Sequence, residues 1–265
     1  MIPKIIHYCW FGGTPLSEDA RACIDSWRRH CPDYEIREWN ESNFDVHENT
    51  YCREAYEAKK WAFVADYVRL WVVLHYGGIY MDTDVEVVRS MDSLLGHTVF
   101  MSFESDHAVS LGTFGSEKGN SLIREFLSAY DMRRFCQPDG GFDMTTNLRI
   151  VTPILVHQYG LRLDGKEQSL REGVVVYPTE VFIAKDYYTG WILCDESTFS
   201  IHHYAASWLD REEKQRDSVR RQYLRNYLKK IQPILNRFAV IRMEYAFDGM
   251  GGVVKRILTY IKKHI

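Results

Sequence analysis

No stretch of this chain reaches the roughly 18 consecutive apolar residues that cross a bilayer, so a helical membrane span is not expected. The N-terminus, MIPKIIHYCWFGG, has neither a basic leader nor a long apolar run. It reads as a first strand rather than a signal peptide. None of the six cysteines (Cys9, Cys23, Cys31, Cys52, Cys136 and Cys194) forms a C-x-x-C pair. With no export signal, free thiols in a reducing compartment are the simplest reading, and the expected location is the cytoplasm. Internal repeats and low-complexity tracts are also absent. The net charge is only −3, so the chain as a whole does not have the basic character of a nucleic-acid binder.

What is present is a chain of 265 residues, 46% of them hydrophobic and 26% charged, enough to bury one large core. Its small net charge hides an asymmetry. Residues 210–265 hold 14 Lys/Arg against 6 Asp/Glu, a net +8, which leaves −11 on residues 1–209. The expected organisation is a catalytic domain over 1–209 and a basic, helical C-terminal extension over 210–265. Basic amphipathic segments such as GGVVKRILTYIKKHI can lie on anionic membranes, which suggests peripheral contact with the inner face of the plasma membrane. The bland reading is a solvated helix packed on the acidic body.

Along the body, strand and helix patterns alternate, which predicts an α/β sheet covered by helices. Strands are expected at Ile5–Trp10, Tyr34–Trp39, Ile79–Val88, Thr98–Phe103, Val174–Val176 and Thr198–Tyr204. Helices are expected over Ser17–His30, Tyr51–Tyr76, from Asn120 to about Phe135, and over Thr145–Tyr159, where Pro153 predicts a kink or a late start. Ligands of such sheets bind at the carboxyl ends of strands. The loops at Trp10–Gly13 and Asp82–Asp84 are the candidates for that edge.

Chemistry concentrates in GGIYMDTDVEVV. Two carboxylates spaced two apart on an extended chain point the same way. They repel each other and are costly to bury unpaired. A divalent cation relieves both problems, and hard oxygen ligands suit Mg²⁺ or Mn²⁺ and the phosphates these bind. A bare D-x-D is weak, because two solvated acids at a strand end look the same. Its context strengthens it. In the preceding segment, WAFVADYVRLWVVLHY, the only formal charges are Asp66 and Arg69. They share a face of a helix that is apolar almost all round and therefore buried, so they must pair with each other or with a ligand. Far downstream, SIHHYAASW offers His202 or His203 as an imidazole ligand; on a strand only one of the two faces the site. Near the start, His7, Tyr8 and Trp10 precede Gly12–Gly13, and a Trp at a strand end is either core or a platform for a base. Thr145–Thr146–Asn147 and Asp139–Gly140–Gly141 are polar and either line an acceptor cleft or are solvated loops.

The set IHYCWFGG, then A-x-x-x-D-x-x-R followed by GGIYMDTD, then HHYAASW, resembles the glycosyltransferases with a D-x-D sugar-binding motif. These include family 32 capsule and lipopolysaccharide transferases, the yeast initiating mannosyltransferases, and the catalytic domains of glucosylating toxins. The resemblance runs from residue 2 to about 209. It implies a GT-A fold, a single Rossmann-like nucleotide-binding α/β domain with a mixed sheet. It implies that Trp10 stacks on the donor base with His7 and Tyr8 beside it, that Asp66 and Arg69 contact the donor sugar and ribose, and that Tyr80 touches the donor. Asp82 and Asp84 would hold Mn²⁺ (or Mg²⁺), with His202 the best match for the third ligand and His203 the fallback. Ser207 and Trp208 would contact the diphosphate. Asp66, Arg69 and Asp84 are the expected catalytic residues. The implied reaction is retaining transfer of a hexose, galactose favoured, from a UDP-sugar to a lipid-linked precursor or growing surface polysaccharide. The alternatives are a GDP-mannose-dependent mannosyltransferase and a non-catalytic nucleotide-sugar-binding subunit.

Overall fold

A computed structural model describes residues 1–187, 189–205, 212–213, 215–223 and 226. The chain separates into two compact units, residues 1–187 with 191–209 and residues 188–190 with 210–265. The strands and helices named below lie in the first. In the second, 212–213, 215–223 and 226 are helical. No helix among the described residues is long and apolar enough to cross a membrane.

In chain order the elements are β1 (Ile5–Cys9), α1 (Glu18–His30), β2 (Glu35–Trp39), α2 (Thr50–Glu57), α3 (Trp61–Tyr76), β3 (Gly78–Met81), β4 (Val85–Val87), β5 (Val99–Ser105), β6 (Ala108–Ser116), α4 (Ser121–Ser128), α5 (Asn147–Tyr159), β7 (Gln168–Ser169), β8 (Val174–Tyr177), α6 (Thr179–Phe182) and β9 (Ser200–His202). Seven strands form one sheet in the order β2-β1-β3-β6-β5-β8-β7. β1 runs parallel to β2 and β3, and β5 parallel to β8, while β6 is antiparallel to both β3 and β5. The α/β class and the mixed sheet are thus as expected. One apolar cluster packs residues of α2, α3, α4 and α5 against the sheet, and a second packs α1, α6 and β4.

Local signals explain the helix starts. The Ser17 side chain accepts from Ala20 N, Asn49 from Cys52 N, and Asn120 from Leu122 and Ile123 N, each satisfying an otherwise unpaired first-turn donor. Four differences from the sequence pattern matter. The helix expected over Tyr51–Tyr76 is two helices, broken where Lys59 adopts a left-handed φ of 57°. The helix after Asn120 stops at Ser128 rather than near Phe135. Helix α5 begins at Asn147 and carries Pro153 inside it. Finally, the acids of the D-x-D lie in a turn between β3 and β4, closed by Val85 N donating to Asp82 O at 3.0 Å, not along one continuous strand.

Strand β6 adds to the strands expected from sequence; AVSLGTFGS carries glycine and serine where strands favour β-branched and aromatic residues. Gly115 is a packing requirement and Gly112 lies close to the D-x-D. A Cβ on Gly115 would sit 2.4 Å from the buried Phe100 ring, and one on Gly112 would sit 3.1 Å from Asp82 Oδ2. Glycine weakens a strand locally but permits such close approach.

Helix α1 holds the segment that follows the D-x-D. The Trp27 indole N–H donates to Val85 O at 2.7 Å, and Val87 N donates to Ser26 Oγ at 2.8 Å, both buried. Trp27→Phe keeps most of the ring but orphans the Val85 carbonyl. We expect a loss of about 1–3 kcal/mol, measured by urea denaturation of the variant against wild type.

Candidate active site

Parallel pairing of β1 and β3, with Ile6 beside Ile79 and His7 beside Tyr80, brings the carboxyl ends of both strands to one sheet edge. Asp82 follows β3 there, anchored through its backbone N to Gly112 O at 2.8 Å. The short antiparallel pair β4–β9 then sets Val85 opposite His202. This register places the imidazole beside the acid that precedes Val85. One ligand atom from each of Asp82, Asp84 and His202 lies within 4.8 Å of the other two.

Two charged systems meet at this point. The first is buried. Arg69 donates through Nη2 to Asp66 Oδ1 at 3.0 Å, through Nη1 to Asp82 Oδ2 at 3.2 Å and to Leu111 O at 2.9 Å, and through Nε to Ala65 O at 3.1 Å. Its guanidinium also sits 4.7 Å from the Tyr80 ring centroid, close enough for a cation–π contact. Asn147 Nδ2 donates to the same Asp66 Oδ1 at 2.9 Å, and Tyr80 OH to Asp82 Oδ1 at 3.1 Å. Burial pushes the Asp66 carboxyl up to about 6 despite Arg69. Asp82 is pushed up by burial as well, with Arg69 opposing.

The second system is at the rim. His202 Nε2 lies 3.2 Å from Asp84 Oδ1, while Asp84 Oδ2 accepts from Ala205 N at 2.8 Å. Burial acts to raise Asp84, but the imidazole and the amide outweigh it and hold the carboxyl at about 2. Burial likewise acts to lower His202, and Asp84 outweighs it, bringing the imidazole to about 9. Among the described residues, His202 Nδ1 is buried with no hydrogen-bond partner. Two carboxylates and an imidazole are a donor set that Mn²⁺ and Mg²⁺ accept. An orphaned buried ring nitrogen also shows that hydrogen bonds within the protein do not fully satisfy this group. The residues therefore fit a divalent cation.

The other residues singled out in the sequence fall as follows. His7 is fully buried between Gly77 O at 2.8 Å and the Trp39 indole N–H, which donates to Nδ1 at 3.0 Å. Burial lowers it to about 4, so it is a neutral framework imidazole with both nitrogens engaged. Tyr8 is buried and donates to Glu38 Oε2 at 2.6 Å. Tyr80 is buried and spends its hydroxyl on Asp82. None of these three presents a free polar atom to a donor; they support the strand ends instead. Trp10 is partly buried just past β1, its indole N–H donating to Thr14 O at 2.6 Å. His203 turns away to Glu86, with Nε2 and Oε2 2.9 Å apart. Ser207 and Trp208 lie outside the described residues. Among the residues that sequence reasoning missed are Leu111, which offers its carbonyl, and Gly112, with Tyr204 and Ala205 beyond His202. Asn147 stood only in a candidate acceptor segment, yet its amide reaches Asp66.

Comparison with known proteins bears on this geometry directly. Residues 17–101 match the family described as the glycosyltransferase sugar-binding region containing a DXD motif. The match covers about a third of the chain. The sugar-binding region contains Asp66, Arg69, Asp82 and Asp84, while Asn147 and His202 come from beyond it. The chain is 30% identical over 134 residues to inositol phosphoceramide mannosyltransferase 3 of Schizosaccharomyces pombe, covering 48% of this chain and 36% of that protein. It is 32% identical over 124 residues to mannosyl phosphorylinositol ceramide synthase SUR1 of Saccharomyces cerevisiae, covering 44% and 31%. The match thus spans about a third of the length of these relatives. Among solved structures, PaToxG glycosyltransferase aligns with a TM-score of 0.47 at 18% identity over 59% of this chain and 70% of that one. The galactosyltransferase LgtC aligns at 0.41 and 13% over 83% and 95%.

Because Asp66 is raised to about 6, the folded protein holds that proton where the unfolded carboxyl, with a pKa of about 4, has released it. Proton binding by the folded state means stability falls as pH rises through this window. Asp66→Asn removes the effect. The stability difference between wild type and Asp66→Asn should therefore shift against wild type by about 2 kcal/mol from pH 4 to pH 7. Paired urea denaturation curves across that range test it, and a pH-independent difference would refute it.

Proposed function

We propose that the chain is a divalent-cation-dependent hexosyltransferase that takes a sugar from a nucleoside-diphosphate donor and passes it, with retention of configuration, to a saccharide acceptor on a lipid carrier or a growing surface glycan. The observation that carries this reading is the convergence of Asp82, Asp84 and His202 on the edge of the buried Asp66–Arg69–Asp82 system. In this reading the fold is GT-A and residues 1–209 form the catalytic domain.

Asp82, Asp84 and His202 would hold Mn²⁺ or Mg²⁺. When bound, that ion supplies positive charge opposite a departing diphosphate. The remaining work falls to the chain's own side chains. Arg69 and Asn147 both occupy Asp66 Oδ1, which leaves Oδ2 to accept from a sugar hydroxyl and to face the positive charge that develops at the anomeric carbon. Arg69 has four of its N–H directions committed to Asp66, Asp82, Leu111 and Ala65. Its role is to fix both carboxylates, with any donor contact secondary. Trp10 stands at the carboxyl end of β1, where an indole can stack on a nucleobase. As the glycosidic C–O bond breaks, its electron pair leaves with the diphosphate. The acceptor oxygen adds on the same face and gives its proton to the departing phosphate oxygen. Ser207 and Trp208 remain assigned to the diphosphate by family resemblance.

Galactose from a UDP-sugar is the donor expected from sequence. The names of the two yeast relatives favour the mannosyl alternative, with a phosphoinositol-containing lipid as acceptor class. A panel of UDP-glucose, UDP-galactose and GDP-mannose, each with Mn²⁺, distinguishes them by nucleotide release. We expect turnover with one donor and a loss of about 100-fold or more in Asp84→Asn and in Asp66→Asn, with melting curves showing both variants folded. No release or binding across the panel by folded wild type would overturn the transferase reading. Donor binding without turnover would favour a nucleotide-sugar-binding subunit.

The basic segment 210–265 is assigned to the inner surface of the membrane, near a lipid-linked acceptor. Co-sedimentation with vesicles containing phosphatidylserine should fall with rising salt and on removal of these residues. Salt-independent binding, or none, contradicts the assignment.

A further inference from the structure

Beyond the three candidate ligands, the segment leaving β9 carries a feature that the proposed reaction does not use. Tyr204 follows the two histidines and has φ of 57°, a left-handed conformation that is uncommon for a residue with a Cβ and persists only where the surroundings hold it. It is held from several sides. Its hydroxyl donates to Glu104 Oε1 at 2.8 Å, at the far end of β5. Its ring lies 4.4 Å from the His202 ring at 31°, and Tyr187 meets its other surroundings edge-on at 5.1 Å. On either side of it the backbone is tied to one acid: His203 N donates to Asp84 O, and Ala205 N donates to Asp84 Oδ2, both at 2.8 Å.

The consequence is geometric. A residue in ordinary extended backbone at position 204 would carry Ala205 onward along the β9 direction. The left-handed turn instead folds Ala205 back onto Asp84. One carboxylate oxygen is thereby occupied by an amide, and the other, Oδ1, is left facing His202 Nε2. The same side chain that makes the turn also packs on the imidazole. Groups that orient ligands without touching the ion commonly set its affinity.

We propose that Tyr204, tethered to Glu104, is a positioning residue that presets Asp84 to bind a divalent cation through one oxygen and holds the His202 ring in ligating orientation. This rests on the cation site of the proposed function. Tyr204 and Glu104 touch neither the cation nor the donor in this account; they act through Asp84 and His202.

The test is Mn²⁺ binding to the full chain without donor, followed by titration calorimetry and by loss of the free Mn²⁺ resonance signal. Tyr204→Phe keeps the ring but loses the tether. Tyr204→Gly loses both but tolerates the backbone. Glu104→Gln keeps an acceptor oxygen for the phenol, whereas Glu104→Ala does not. We expect Mn²⁺ affinity to fall about ten-fold or more in Tyr204→Gly, by less in Tyr204→Phe and Glu104→Ala, and to be restored in Glu104→Gln. In turnover assays the Mn²⁺ concentration for half-maximal rate should rise while the rate at saturating Mn²⁺ stays near wild type. Metal-free melting curves identify any variant that fails to fold, and Tyr204→Phe, the mildest change, then carries the comparison with Glu104→Gln. Wild-type affinity in folded Tyr204→Phe and Tyr204→Gly overturns the positioning role while leaving the cation site standing. Absence of Mn²⁺ binding by wild type overturns both.

Discussion

The arrangement at the sheet edge depends on one buried cation. Arg69 is almost inaccessible and shares its donors between Asp66 on its own helix, Asp82 in the turn after β3, and the Leu111 carbonyl on β6. It therefore ties α3 to the turn 13 residues on and to β6, 42 residues on. Removing a guanidinium from water is costly unless every donor finds an acceptor. That requirement works in reverse as a constraint on the chain: α3, the β3–β4 turn and β6 must arrive together or the ion is left uncompensated. A lysine could neutralise one acid but could not bridge both carboxylates and a carbonyl with a planar fork.

A second constraint acts at longer range and with far less buried area. Strands β4 and β9 are three residues each, yet their register alone places His202 beside Val85 across more than a hundred residues of chain. Such a short ladder is not stable by itself. It is held by α1 on one side, through Trp27 and Ser26, and by α6 on the other, where Ile183 O accepts from His202 N at 2.9 Å and Phe182 O from Ser200 Oγ at 2.8 Å. The imidazole is thus positioned by helices that lie outside the candidate site.

These two constraints explain what the sequence could and could not disclose. The paired charges of α3 were legible because an isolated Asp and Arg in an apolar helix demand an explanation. The D-x-D was legible as two acids, but its backbone was not: alternation predicted a strand, whereas the acids converge through a turn. Strand β6 was hidden by its glycines and serines. A Cβ on Gly112 would come 3.1 Å from Asp82 Oδ2, and glycine and serine erase the pattern by which strands are recognised. Conversely, His7 and Tyr8 drew attention as polar aromatic residues at a strand end, and both prove to be buried with their polar atoms satisfied inside the protein. Periodicity reports which face is buried. It does not report whether a polar tip on that face points at a ligand or at a neighbouring carbonyl.

Charge balance gives the remaining step. Asp66, Asp82 and Asp84 contribute three negative charges, and among the described residues Arg69 is the fixed positive charge paired with them. With a neutral imidazole the set carries a net −2, which a single divalent cation matches. In the protein alone, Asp84 instead draws His202 into an ion pair, raising the imidazole and lowering the carboxyl. The pairing satisfies Nε2 but, among the described residues, leaves Nδ1 buried without a partner, so it only partly compensates the group. A cluster built solely for stability would be expected to close its hydrogen bonds and its charge internally. Here Arg69 offsets only one of the two charges of Asp66 and Asp82, and His202 Nδ1 has no partner among the described residues. The residual acid charge and the orphaned nitrogen together support a divalent cation at Asp82, Asp84 and His202.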